Sequence, residues 1–121
     1  MMSKRILVVD DSPLVRAVIR AYIESRTQFI VCGEAANGLD AIEKAKALSP
    51  DLILMDFSMP VMTGIEAGAI LNAMLPSVPI VIYTAHDSAV IEPHALAAGV
   101  RLVIQKNDMP NLTRHLRKLL A

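Results

Sequence analysis

The stretch Arg5-Ile-Leu-Val-Val-Asp10-Asp11-Ser12-Pro13 decides how this chain is read. After Arg5 its first run is apolar at every position, and a strand that is apolar on both faces has to be covered on both. That is the mark of a parallel sheet lying between helical layers. Two acids end the run, and Ser12-Pro13 then supplies an N-cap and a first-turn proline for a helix. Val15, Val18, Ile19, Tyr22 and Ile23 follow at helical spacing and are expected to form its buried stripe.

The same alternation continues along the chain. β-rich runs at Phe29 to Cys32, Leu52 to Met55, Ile80 to Tyr83 and Leu102 to Gln105 are each followed by a helical pattern. The second helix is expected after Asn37-Gly38, burying Leu39, Ile42, Ala45 and Leu48, with Ser49-Pro50 as its stop. A third spans about Ile65 to Leu75, ahead of Pro76 and Pro79. The fifth follows Asp108 as cap, with Pro110 near its first turn and Leu112, Leu116 and Leu119 on its inner face. The fourth region is the exception. A helix from Ser88 would carry Pro93 inside it, at a cost of about 3 kcal/mol, so the expectation is a late, short helix. That helix has Glu92 near the cap, runs to about Ala98 and ends at Gly99; a kinked longer helix is the alternative.

Composition bounds the function classes. With 121 residues and 54% hydrophobic content the chain reads as one domain spanning residues 1–121, able to bury roughly two-thirds of its unfolded surface. Twelve basic residues balance twelve acidic ones, so no global field draws in nucleic acid or an anionic membrane. The basic residues Arg114, His115, Arg117 and Lys118 sit near a helix C-terminus, where cations complement the helix dipole. Cys32, the only cysteine, reads as a buried free thiol in a reducing compartment. Four apolar residues after Lys4-Arg5 are too few for a signal-peptide core, and no uncharged run approaches membrane-spanning length. A cytoplasmic location is expected.

The chemistry lies at the strand ends. Asp10 and Asp11 close the first run, Asp56 the third, Thr84 the fourth and Lys106 the fifth. In an open α/β sheet these ends share the rim where ligands bind. Taken singly, Asp10 or Asp11 is readily a helix cap, Thr84 an ordinary strand-end hydroxyl and Lys106 a solvated lysine. Asp56 is followed by Phe-Ser-Met-Pro-Val-Met-Thr-Gly64, a loop rather than a helix start, so capping explains it poorly. Taken together the residues offer a cluster of hard oxygen ligands with no accompanying His or Cys cluster, which suits Mg²⁺, plus a hydroxyl donor and a counter-cation. That set points to a metal-assisted phosphate site.

On Val8-Val-Asp10-Asp11-Ser12, Asp56-Phe-Ser-Met59-Pro60-Val-Met-Thr-Gly64, Thr84-Ala85 and Lys106, the chain resembles, over its whole length, the receiver domains of bacterial two-component response regulators. The resemblance implies a flavodoxin-like five-stranded parallel sheet of order 2-1-3-4-5 flanked by five helices, an order for which the family is a standing example. It implies that Asp56 accepts a phosphoryl group from a sensor histidine kinase or phosphotransfer protein. It further implies that Asp11 and Asp56 bind Mg²⁺ directly, that Asp10 acts mainly through water, and that the Ser58 backbone carbonyl is another ligand. Lys106 and Thr84 then stabilise phosphoryl oxygens, and no general base is required. Ser58 and His86 occupy the positions that modulate acyl-phosphate lifetime in the family.

Two departures concern the output side. The residue three before the lysine is Val103, where many receivers carry a mobile aromatic, and the residue after it is Asn107, where proline is usual. The stretch Val31-Cys-Gly-Glu-Ala-Ala-Asn-Gly38 resembles receivers that carry DNA-binding output domains, although nothing in the chain itself resembles a nucleic-acid reader. The expected function is therefore a phosphoacceptor switch acting on a partner protein or a C-terminal output domain, not an enzyme, with no direct binding of nucleic acid or membrane. One alternative is a phosphorylation-independent interaction module on the same fold. Another is a small-molecule phosphatase, disfavoured because the chain lacks an Asp-x-Asp pair and a lid domain.

Overall fold

The computed structural model describes residues 3–121. Its elements alternate as β1 (Arg5–Val9), α1 (Pro13–Arg26), β2 (Ile30–Ala35), α2 (Gly38–Leu48), β3 (Leu52–Asp56), α3 (Gly64–Met74), β4 (Ile80–Thr84), α4 (Ser88–Ala97), β5 (Leu102–Gln105), a 3₁₀ segment (Lys106–Asn111) and α5 (Leu112–Leu119). The five strands form one parallel sheet in the order β2-β1-β3-β4-β5, as the resemblance implied.

Strand parity sorts the core into two layers. Leu7, Val9, Ile53, Met55, Ile80, Ile82 and Val103 face α2, α3 and α4, meeting Ala41, Ala45, Ala67, Leu71, Ile91 and Ala95. Ile6, Val8, Leu52, Leu54, Val81, Tyr83 and Ile104 face α1 and α5, meeting Ile19, Ile23, Leu112 and Leu116. Each fully buried Ile or Leu side chain contributes about 1.5–3 kcal/mol, so Ile19 and Ile23 are the main apolar anchors of α1 on the sheet. Among the described residues no helix is long and apolar enough to cross a membrane.

Helix starts follow local chemistry. Ser12 Oγ accepts the Val15 N–H at 3.2 Å, and Pro13 occupies the first turn. Asn37 caps α2 through the Asp40 N–H. Thr63 and Glu66 exchange side-chain and backbone bonds in a capping box that starts α3. Gly64 is required there, because a Cβ would lie 2.6 Å from the Asp56 carbonyl oxygen.

Several expectations need correction. β2 runs from Ile30 to Ala35 rather than Phe29 to Cys32, because Gly33, Glu34 and Ala35 keep pairing with Leu7, Val8 and Val9 past a register shift. α4 is the longer helix from Ser88, with Pro93 inside it. Asp87 Oδ1 accepts the Ala89 N–H at 3.0 Å, and the Gln105 side chain accepts the Ser88 N–H at 3.0 Å. These tertiary and capping bonds hold the helix start that the proline disfavours. Its end is as expected: Gly99, at φ +97°, sits in a Schellman motif with Val100 N–H bonded to Ala95 O and Gly99 N–H to Leu96 O, both at 3.0 Å. α5 starts at Leu112 with Asn111, not Asp108, at its N-cap position, since the 3₁₀ turn intervenes and Asp108 Oδ1 accepts from Asn111 Nδ2 at 2.6 Å. Val18 and Leu39 are exposed, at 59% and 54%, rather than buried. Cys32 is half-buried, its Sγ 3.5 Å from Ile6 O, and burial raises its thiol pKa.

Candidate functional site

Parallel strands bring Asp10, Asp56 and Thr84 to one rim, at the carboxyl ends of β1, β3 and β4, where Asp56 is in register with Tyr83. Carboxylate oxygens of Asp10, Asp11 and Asp56 all lie within 4.8 Å of one another. Asp10 and Asp56 are buried, whereas Asp11 is exposed at the mouth. Lys106, on the turn after β5, places Nζ 3.5 Å from Asp56 Oδ1. Burial pushes the Asp56 carboxyl above the ordinary Asp value; the charge of Asp10 acts in the same direction, while Lys106 and the Ser58 N–H oppose it. Three close carboxylates facing one ammonium are short of positive charge, so a hard divalent cation fits this donor set.

Asp10 is held on every side. Its Oδ1 accepts the Ser12 N–H at 2.8 Å, and its Oδ2 accepts the Tyr83 hydroxyl at 2.6 Å. Its backbone carbonyl accepts from Arg16 Nη1 at 2.5 Å, and its N–H donates to Ala35 O. Arg16 also binds Glu34 Oε1, and Arg20 binds Glu34 Oε2, each at 3.0 Å. Burial alone would raise the Glu34 pKa, but the two guanidiniums outweigh it and hold the carboxyl below its usual range. α1 is thereby clamped to β2 immediately beside the acidic rim.

Thr84 is fully buried, and its Oγ1 accepts the His86 N–H at 2.9 Å, which leaves the hydroxyl proton free to be donated. Ser58 is exposed, and its N–H approaches Asp56 Oδ1 at 3.3 Å. His86 is exposed and packs edge-on against Phe57, ring centroids 5.7 Å apart. The structure thus brings Asp10, Asp11, Asp56 and Lys106 together, sets Thr84 on the adjoining strand end, and keeps Ser58 and His86 on the loops around them.

Four contributors escaped the sequence reading: Tyr83, Arg16, Glu34 and Gln105. Gln105 Nε2 donates to Thr84 O at 3.1 Å and to His86 O at 2.6 Å, while its Oε1 accepts from Ser88. The one available signal was chemical: an amide side chain ending a strand immediately before the site lysine. Beside Lys106 an apolar hollow of about 300 Å³ opens between α1 and the turn before α5, with Leu14, Val18, Tyr83 and Met109 in its wall.

A doubly wound parallel sheet with an acidic cluster and a lysine at its carboxyl rim defines the class of protein. Residues 6–117 match the family described as response regulator receiver domain, and the chain belongs to that family, the receivers of two-component signalling. It is 36% identical over 110 residues to the chemotaxis protein CheY of Thermotoga maritima, covering 91% of each chain. It is also 40% identical over 106 residues to the transcriptional regulatory protein YxjL of Bacillus subtilis, covering 88% of this chain and 49% of that one. Among solved structures, a LuxR-family two-component response regulator from Aurantimonas sp. SI85-9A1 superposes with a TM-score of 0.93 at 31% identity, over 98% of this chain and 86% of that one. The response regulator domain of Thermotoga maritima CheB does so at 0.85 and 32%, over 98% and 94%. The chain spans about half the length of YxjL and nearly all of the Thermotoga CheY.

Proposed function

We propose that this receiver is a phosphoacceptor switch in which Asp56 takes a phosphoryl group from phosphohistidine on a sensor kinase or phosphotransfer protein. The observation that carries the reading is the convergence of Asp10, Asp11 and Asp56 within 4.8 Å, with Lys106 Nζ 3.5 Å from the Asp56 carboxylate. An Asp56 oxygen forms the new O–P bond as the P–N bond breaks; the ring nitrogen keeps that electron pair and takes a proton from solvent. Asp10, Asp11 and Asp56, with the Ser58 carbonyl, would hold Mg²⁺, which supplies positive charge for the acids and for the phosphoryl oxygens. Lys106 shifts from the Asp56 carboxylate toward an incoming phosphoryl oxygen, and Thr84 donates its free proton to another. Charge spread over those oxygens is met by groups already in place, so positioning and electrostatics suffice.

The exposed Leu14 and Val18 beside Lys106 supply apolar surface for the protein that carries the phosphohistidine. A switch acting on an output domain or a separate partner is supported by relatives of both kinds: the regulator YxjL, twice this length, and the CheY of near-equal length. A cytoplasmic location belongs to this reading, since histidine-kinase phosphotransfer takes place there. The test is intact mass after incubation with Mg²⁺ and acetyl phosphate or phosphoramidate. One phosphoryl group is expected on the parent and none on Asp56→Asn; a modification that persists in Asp56→Asn rejects Asp56 as acceptor.

A further inference from the structure

Tyr83 is fully buried, yet its hydroxyl ends at the acidic cluster. β4 and β1 are separated by β3, a distance of two strand spacings, roughly 9.5 Å. Tyr83 is in register with Asp56, and the end of β3 is in turn in register with that of β1. Parity puts Tyr83 on the α1 and α5 face, the face that Asp10 continues from Ile6 and Val8. The phenol therefore reaches across β3 on that face and brings its oxygen 2.6 Å from Asp10 Oδ2 and 3.2 Å from Val9 O.

A phenol has one proton and two acceptors here, and 2.6 Å is the length of a charge-assisted O–H···O⁻ bond. The proton is therefore directed at Asp10. With the Ser12 N–H on Oδ1, both carboxylate oxygens have a protein donor, and each keeps a lone pair for an outside partner. The plane of the carboxylate is fixed by two donors from opposite sides of the site. The same ring lies under Lys106, whose Nζ is 5.4 Å from its centroid, within cation–π range.

We infer that Tyr83 is a positioning residue of the acidic site: its hydroxyl orients the Asp10 carboxylate toward a divalent cation or its water, and its ring face seats Lys106. The inference rests on the proposed metal-holding role of the cluster. It goes beyond the role of any residue in contact with the phosphoryl group, because Tyr83 acts only through Asp10 and Lys106. Groups that orient metal-binding side chains commonly change affinity by about 10–100-fold when removed.

The test is Tyr83→Phe, which deletes the hydroxyl and keeps the ring. Mg²⁺ titration by calorimetry should show affinity about tenfold weaker or more. Labelling by acetyl phosphate should be slow at low Mg²⁺ and return to the parental rate when Mg²⁺ saturates, since the ring under Lys106 remains. A purely structural tyrosine would lower the melting temperature and leave Mg²⁺ affinity unchanged, and that result overturns the inference. A second measurement needs no change at Tyr83. The chain has no Trp and two Tyr, so Tyr22→Phe leaves Tyr83 as the only tyrosine. Its near-ultraviolet absorbance should shift on Mg²⁺ addition with the calorimetric midpoint, and no response over the range of Mg²⁺ saturation overturns the inference. A parent that binds Mg²⁺ with the Tyr83 dependence but takes no phosphoryl group rejects the phosphoacceptor reading and leaves the positioning role standing. A parent that binds no Mg²⁺ rejects the positioning role.

Discussion

Val61 holds a backbone φ of +75° in the loop that follows Asp56, and the Met62 N–H closes a three-residue turn onto Pro60 O at 2.9 Å. A β-branched residue is strained there, at about 1–3 kcal/mol, whereas glycine adopts the conformation freely. The side chain is 80% exposed, so it gains little packing in return. Val61→Gly should therefore stabilise the fold by about 1 kcal/mol after the entropic cost of a glycine, read as a higher denaturant midpoint with an unchanged slope. A lower midpoint would mean that Val61 side-chain contacts, not its backbone, fix the turn. Legibility at this scale depends on whether a residue's chemistry is foreign to its setting. Asp10, Asp11, Asp56, Thr84 and Lys106 were readable because each is a polar group ending an apolar run. Tyr83 was hidden, since an aromatic in a buried strand reads as core until the neighbouring strands show where its hydroxyl ends.

At the scale of elements, the loop between β4 and α4 is bridged to the end of β5 by the Gln105 side chain. Gln105 bonds to Thr84 O, His86 O and the Ser88 N–H, spanning the strand end, the loop and the first residue of the helix. Thr84 joins the same loop through His86 N. Val103, in contrast, is 6% exposed and packed in the layer under α4, with no polar reach to the site. In the proposed switch, a signal leaving Thr84 and Lys106 would meet Gln105 first. Gln105→Ala should speed hydrogen exchange at Ser88 and the loop amides by about tenfold, the effect of losing about 1.4 kcal/mol of local hydrogen bonding, and should shrink the phosphorylation-dependent change in α4. Val103→Ala should cost roughly 1–3 kcal/mol of global stability through lost packing and keep most of that change. A full α4 response in Gln105→Ala, or none in Val103→Ala, would show that the route runs elsewhere. Gln105 also explains why the start of α4 was misread. Pro93 is a local signal against the long helix, but the Ser88 and Ala89 N–H groups are capped by Gln105 and Asp87, and only the fold brings Gln105 there. β1, β3, β4, β5 and the start of α1 were legible for the opposite reason: apolar runs, Ser12 and Pro13 act within a few residues of themselves.

For the molecule as a whole, the two packed layers serve to hold a repulsive cluster at one rim. The folded state raises the pKa of Asp56, chiefly by burying it and also through Asp10, so the folded chain binds that proton more tightly than the unfolded chain does. The sign follows from linkage: between the unfolded Asp value of about 3.9 and the raised folded value, stability falls as pH rises, and above that window the loss is constant. Without a divalent cation Asp56 is thus a net burden at neutral pH, despite Lys106 at 3.5 Å. Asp56→Asn removes the charge at nearly constant volume. In chelator it should melt above the parent at pH 7, and the gap should narrow as pH approaches 4. If the cluster holds Mg²⁺ as proposed, the ion should reverse the comparison, because a ligand bound only by the folded state adds about 2.7 kcal/mol at a hundred times its Kd. The parent should gain that full increment, whereas Asp56→Asn, lacking one carboxylate of the cluster, should gain less at the same Mg²⁺ concentration. Thermal melts of both proteins at pH 5 and pH 7, in chelator and in Mg²⁺, give the four comparisons needed. A parent that melts above Asp56→Asn in chelator at pH 7 would mean that the Lys106 pair outweighs burial and that the site is not poised for a cation.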